Sequence, residues 1–249
     1  MAIAQMQGRE AQVSAIRQPR VSVVMPARNE AANLPHVFAE MPEDVYEVIV
    51  VDGFSSDGTA EVAAEIDPRV VVVGQTRRGK GNALMHGFEA VTGDIIVMLD
   101  ADCSADPNEI PRFVRALCDG ADFAKGSRNV AGGGSADITH VRHLGNRWLT
   151  TQVNALYGTR YTDLCYGYNA FWRHCLPHLD VDCDGFEVET LINIRAARAG
   201  LRVVEVPSYE RERLHGVSNL NAWRDGWRVQ RTIMRELVRR ATPTYGELE

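Results

Sequence analysis

The chain has 249 residues, 45% of them hydrophobic and 24% charged, and carries a formal net charge of -6. That length buries a sizeable core as one large α/β domain or two small ones, and the acidic balance excludes nucleic-acid binding driven by bulk electrostatics. No apolar run approaches the ~20 residues needed to cross a bilayer, and the five cysteines form no CxxC pair. Reduced thiols in a cytosolic compartment are therefore expected, not a disulfide framework or a zinc site.

Residues 1–18 are polar and Gln-rich and read as a flexible N-terminal arm. Beyond them short apolar runs alternate with helical patterns. "VSVVM" (21–25), "EVIVVD" (47–52), "VVVVG" (70–74) and "DIIVMLD" (94–100) read as strands buried on both faces. Helices are predicted over 30–41, 57–66 and 80–91, the second capped within Asp57-Gly58-Thr59. Asp106-Pro107 supplies the N-cap and first residue of the helix in "NEIPRFVRALC". The repeated β-α order implies an α/β fold, with a Rossmann-like, mainly parallel sheet flanked by helices and joined by right-handed crossovers.

The second half is less regular. "ADFAKGSR" (121–128) reads as a strand and "NVAGGGSAD" as a flexible Gly-rich lid. A Thr-capped helix over 139–157 ends at Gly158, "YGYNAFWR" (166–173) is a strand, 186–200 is a helix closed by Gly200, and "LRVVEVP" is a strand. The polar "SYERERLHGVSN" precedes a last helix over 220–240. The expected organisation is a single domain over 19–220, followed by a basic amphipathic helix and tail over 221–249. In that helix Trp223, Trp227, Met234 and Leu237 form one stripe, flanked by Arg224, Arg228, Arg231, Arg235 and Arg239. Packing the stripe on the domain is the preferred reading. An interfacial helix at a membrane and a homodimer contact are the alternatives.

In open parallel sheets ligands bind beyond the carboxyl ends of the strands. Those ends carry "PARNE", "DGFSSDG" and "DADCSAD", three polar stretches converging on one edge. Asp100-Ala101-Asp102 alone reads as a solvated turn, and the Gly and Glu of a calcium EF-hand are missing downstream. Its third reading is a clamp for Mg²⁺ or Mn²⁺ against a diphosphate, since a hard cation takes one or two carboxylates plus phosphate oxygens. Arg77, Arg78 and Lys80, in a Gly-flexible segment just upstream, read alone as an exposed turn, but beside the acidic pair they suit a phosphate cradle and tip the balance to the clamp. Neither a Walker A sequence nor a Gly-x-Gly-x-x-Gly fingerprint is present.

"VSVVMPARNEAANLP", "EVIVVDGFSSDGT", "GKGNAL", "GDIIVMLDADCSADP" and "KGSR", in this order, resemble family-2 glycosyltransferases of the GT-A fold. The pattern is most similar to the dolichol-phosphate mannose synthase-like, polyprenyl-phosphate group. The resemblance implies that Pro26, Ala27, Arg28, Asn29 and Glu30 hold the base and ribose of a nucleotide-sugar, with Asp52 and Gly53 beside the base. It assigns Asp100 and Asp102 to the metal and diphosphate, Ala101 to the ribose, Lys80 to the donor and Arg128 to a phosphate. Where such enzymes carry Ser-Gly-Phe-Arg, this chain has Tyr166-Gly167-Tyr168-Asn169, so an expected arginine is absent.

A hydroxyl acceptor needs a general base, for which Asp163, Glu187 and Glu189 are the candidates. Glu187 and Glu189 stand two apart on a helix, so at most one faces the site. A phosphate acceptor needs cationic clamps instead, and Arg211, Arg213, His215 and Ser218 suit one. The leading expectation is an inverting, metal-dependent transferase moving sugar from a GDP-mannose- or UDP-glucose-type donor to a polyprenyl phosphate. Asp163, Glu187 and Arg128 are its catalytic candidates, and it would be cytoplasmic or peripheral at the inner membrane face. Transfer to a soluble hydroxyl or amine is the runner-up, ahead of a nucleotidyltransferase or a non-catalytic sensor.

Overall fold

The structure, a computed structural model, describes residues 18–216 and 220–239. The expected arm over 1–18 falls almost wholly outside the described residues, as do Ser218 and the tail beyond 239. Strands β1 (Val21–Ala27), β2 (Val45–Asp52), β3 (Val70–Gly74) and β4 (Ile95–Met98) alternate with helices α1 (Leu34–Ala39), α2 (Thr59–Ile66) and α3 (Lys80–Ala90). Then follow α4 (Ile110–Cys118), β5 (Phe123–Ser127), β6 (Gly134–Ser135), α5 (His140–Tyr157), β7 (Asn169–Trp172) and α6 (Leu176–Leu179). The described chain closes with α7 (Val188–Arg198), β8 (Val203–Pro207), β9 (Tyr209–Glu210) and α8 (Ala222–Val238).

Seven strands form one sheet in the order β3-β2-β1-β4-β7-β5-β8. All neighbours are parallel except β7, which runs antiparallel to both β4 and β5. Both faces are covered, so β1 is apolar on both sides apart from Ser22, which donates to Glu47 at 2.6 Å: Val23 and Met25 pack with Leu34 and Phe113 on one side. Val24 packs with Leu84 and Phe88 on the other. α3 lies so close that a Cβ at Gly87 would come within 2.3 Å of Val24 Cγ1. A third cluster, with Leu149, Val153, Ile194, Val229 and Ile233, joins α5, α7 and α8.

Three expectations are corrected. The helix expected from residue 30 begins at Leu34, because Asn29 turns through a φ of +58° and Asp57 Oδ2 accepts the Ala31 N–H at 3.1 Å. The Gly-rich stretch is not a free lid: Gly134–Ser135 pairs in parallel with Tyr209–Glu210. The final helix does not pack its aromatic stripe on the domain. Trp223 and Trp227 are 86% and 73% exposed, while Asp225, Val229, Thr232, Ile233 and Glu236 face inward. The inward acids explain this register, since Glu236 accepts from the buried Arg195 guanidinium at 3.0 and 3.2 Å. Among the described residues no helix is long and apolar enough to cross a membrane.

Candidate active site

The carboxyl ends of β1, β2 and β4 open into a cleft of about 860 Å³. Two loops are latched at its rim: the Asn29 N–H donates to Ser55 Oγ and Asn29 Oδ1 accepts the Ser56 N–H, both at 2.9 Å. Gly53 N–H donates to the Ala27 carbonyl at 2.8 Å, which brings the β2 end against β1. Of the expected donor residues, Pro26, Ala27, Arg28, Glu30, Gly53, Lys80, Asp100, Ala101 and Asp102 line the cleft. Asn29 and Asp52 do not line it. They hold the loops, Asp52 by accepting the Ser55 N–H at 3.3 Å.

β4 ends in the acidic pair. Lys80 Nζ lies 2.7 Å from Asp100 Oδ1 and 2.7 Å from Glu189 Oε1. Burial opposes its charge, but the two carboxylates outweigh that penalty and raise the ammonium above its ordinary value. Burial, partly offset by Lys80, in turn raises the Glu189 carboxyl. Lys80 is aimed by a backbone that only glycine fits: a Cβ at Gly79 would meet the Asp184 carbonyl at 2.1 Å, and one at Gly81 the Cys183 carbonyl at 2.3 Å. Asp102 Oδ1 accepts the Ser104 N–H at 3.0 Å, while its Oδ2 lies 2.5 Å from Arg213, which also reaches Glu30 at 3.0 Å. Asp106, two turns of loop away, caps Pro107–Glu109 through the Asn108 N–H and pairs with Arg211, so it stands apart from the acidic pair.

Alternate residues tie the 211–215 segment across this side. Arg211 N–H donates to the Ser104 carbonyl at 2.7 Å and its guanidinium reaches Glu40 at 2.7 Å. His215 N–H donates to Asn33 Oδ1 at 3.1 Å, and its ring sits 5.8 Å from that of His36. Arg213 therefore faces the cleft, while His215 serves as a backbone anchor and does not line it.

Arg128 and Asp163 are corrected more sharply. The guanidinium grips Asp163 with two nitrogens at 2.7 and 2.9 Å, reaches Glu210 at 3.0 Å and lies 4.8 Å over the Tyr166 ring. Asn146 Nδ2 donates to Asp163 Oδ1 at 2.8 Å. The Asp163 side chain is fully buried; burial alone would raise its carboxyl, but Arg128 pulls it down to about 2. The structure thus pairs Asp163 with Arg128 and leaves both out of the cleft lining. Glu187, the other expected base, turns Oε1 to the Gly185 N–H at 3.2 Å and does not line the cleft, whereas Glu189 does. The arginine missing from the Tyr166–Asn169 stretch is replaced by a wholly buried asparagine, while Tyr168 stacks on Phe113 at 4.4 Å.

Sequence reasoning did not foresee Arg142 from α5 lining the cleft, nor that Arg224 and Arg228 of α8 reach it. Only the three-dimensional meeting of those helices brings them there. Among the described residues no group of three or more His, Cys, Asp or Glu side chains forms a ready metal cage. Two neighbouring carboxylates opening into a polar cleft fit a hard divalent cation that completes its shell with phosphate oxygens and water.

A doubly covered sheet with an acidic pair at its central strand end and a cleft beyond it fits the glycosyltransferase resemblance of the sequence. The chain belongs to glycosyl transferase family 2, whose family model matches residues 22–178. It is 34% identical over 225 residues to the low-salt glycan biosynthesis hexosyltransferase Agl6 of Haloferax volcanii, covering 87% of this chain and 53% of that protein. The chain thus spans about half that relative's length. It is 35% identical over 215 residues to the polyprenol monophosphomannose synthase of Mycolicibacterium smegmatis, covering 81% of each. The glucosyl-3-phosphoglycerate synthase of Mycobacterium tuberculosis, solved with Mn²⁺, UDP-glucose and phosphoglyceric acid, matches with a TM-score of 0.70 at 26% identity, over 98% of this chain and 92% of that one.

Proposed function

We propose that this chain transfers a hexose, with inversion, from a nucleotide-diphosphate sugar to the phosphate of a polyprenyl-type lipid. The donor would lie over the ends of β1, β2 and β4, with its base by Pro26–Arg28 and Gly53 and its diphosphate at Asp100 and Asp102. Those two carboxylates would hold Mg²⁺ or Mn²⁺, which neutralises charge on the leaving diphosphate. Lys80 and Arg213, already paired with them, are placed to turn to phosphate oxygens as the carboxylates engage the metal.

One observation carries the choice of acceptor: Glu189, the one expected base that lines the cleft, is tied to the Lys80 ammonium at 2.7 Å. A hydroxyl needs a free base within hydrogen-bond reach, whereas a phosphate is already anionic and needs cations, which Arg142, Arg224 and Arg228 offer. The relative named polyprenol monophosphomannose synthase supports this reading. The phosphoglycerate-bound neighbour favours a second, in which UDP-glucose is transferred to a small phosphorylated hydroxy acid. The test incubates the purified protein with Mn²⁺ and labelled GDP-mannose or UDP-glucose, offering either a short-chain polyprenyl phosphate or 3-phosphoglycerate. Label passing to the organic phase supports the lipid phosphate. Label found only on phosphoglycerate would replace it with the second reading.

A further inference from the structure

We propose that α5 and α8 form one face that docks on an anionic lipid bilayer, with the cleft opening at its edge. The proposal deepens the lipid-phosphate reading and rests on it for its purpose. Each helix buries one side in the same cluster, α5 through Leu149 and Val153 and α8 through Val229 and Ile233. They run side by side in the same direction, since Gln152 bonds Gln230 at 3.0 Å and Tyr157 Oη donates to the Ile233 carbonyl at 2.6 Å. On the opposite side both expose apolar stripes at helical spacing. Val141, Leu144 and Trp148 are 65%, 65% and 59% exposed, and Trp223, Trp227 and Met234 are 86%, 73% and 51% exposed. A single exposed leucine is ordinary, but exposed apolar stripes with three tryptophans on two neighbouring helices mark an interaction surface.

Charge decides the occupant. α5 contains no Asp or Glu, and the only acids of α8, Asp225 and Glu236, are 3% and 1% exposed. Arg147, Arg224, Arg228, Arg231 and Arg235 are exposed on the same two helices, Arg224 and Arg228 against the buried Asp225 and Arg235 paired with Asp182 at 2.8 Å. A chain of net charge -6 has thus cleared carboxylates from the exposed surface of both helices and kept cations there. A second copy of the same cationic face would repel it, whereas an anionic headgroup layer attracts the arginines and accepts tryptophan at its boundary. Continuity with the cleft gives the docking its use. Arg142, Arg224 and Arg228 lie on these helices and also line the cleft, so an acceptor phosphate at the membrane surface would enter beside them.

The test mixes wild-type protein and the variant W148A/W223A/W227A with phosphatidylglycerol-containing or pure phosphatidylcholine vesicles, reading co-sedimentation and tryptophan emission. Trp172 is held inside by its Nε1–H donating to the Ala121 carbonyl at 3.1 Å, so emission changes report the other three. Wild-type protein is expected to bind the anionic vesicles with a blue shift and to lose binding in high salt. The triple substitution should weaken binding by about tenfold or more. A circular-dichroism melt like that of wild type would show the variant folded. Undiminished binding by the variant, or no binding by wild type, would overturn the proposal. So would a concentration-dependent dimer that the substitutions abolish while vesicles are ignored. Transfer to a water-soluble short-chain polyprenyl phosphate, measured without vesicles, separates the two readings: its loss strikes the acceptor assignment and leaves docking to be judged by sedimentation.

Discussion

Replacing Asp163 with Asn separates a structural carboxylate from a catalytic one. The substitution keeps the shape and one acceptor oxygen but removes the charge that faces Arg128, whose side chain is only 5% exposed. Removing one partner of a buried ion pair typically costs about 3–5 kcal/mol, because the other charge is left uncompensated. Glu210 still reaches Arg128 at 3.0 Å, so a loss near the lower end, about 3 kcal/mol, is expected. For a chain of this size that lowers Tm by roughly 6–12 °C, readable by calorimetry or urea titration. The pH dependence gives a second signature. Arg128 holds the Asp163 carboxyl at about 2, below its ordinary 3.8, so its stabilisation is complete above 3.8 and is lost as pH falls toward 2. The wild-type advantage over D163N should be flat from neutral pH to about 4 and shrink below it. An unchanged Tm together with a collapse in kcat would refute the reasoning and return Asp163 to the role of base.

Asp102→Asn is expected to reduce transfer by on the order of 10²-fold or more while moving Tm little, because the Asp102–Arg213 pair is part-exposed and Arg213 keeps Glu30; steady-state kinetics beside a melt checks both. Gly81→Ala should destabilise by about 2 kcal/mol or more and disorder Lys80, since the new methyl meets the Cys183 carbonyl at 2.3 Å; urea titration and donor affinity read the two effects. GDP or UDP with Mn²⁺ at about 100 times Kd should stabilise the protein by about 2.7 kcal/mol, and the shift should vanish in Asp102→Ala; a shift that survives there would remove Asp102 from the diphosphate site.

The parallel half of the sheet was legible because its strands are buried on both faces and read as unbroken apolar runs, each followed by polar loop residues. The same logic located the cleft, since strand ends in such a sheet converge wherever the chain goes afterwards. β7 was legible as a strand but not as antiparallel, because direction is set by how the chain returns and leaves no mark on the apolar pattern. The partner of a charged side chain was equally hidden. Arg128 and Asp163 are 35 residues apart, and nothing local distinguishes a buried bidentate pair from two residues facing substrate. The register of α8 misled for a related reason: the sequence holds two candidate inward stripes, and the inward one is fixed by Arg195, 41 residues from Glu236.

Three buried or half-buried cations, two lining the cleft and one behind it, follow one pattern. Lys80 bridges Asp100 and Glu189, Arg213 bridges Glu30 and Asp102, and Arg128 bridges Asp163 and Glu210. Each cation therefore faces two carboxylates, and the cluster is short of positive charge when all six acids are ionised. At the acidic pair, where Lys80 and Arg213 face four carboxylates, a bare diphosphate meets like charge at close range. A divalent cation at Asp100 and Asp102 would correct the shortage and release Lys80 and Arg213 toward phosphate at the same time. Metal dependence is expected from this local imbalance at the acidic pair, and nucleotide should bind more weakly without metal even though Arg28, Arg78, Arg142, Arg224 and Arg228 line the rest of the cleft.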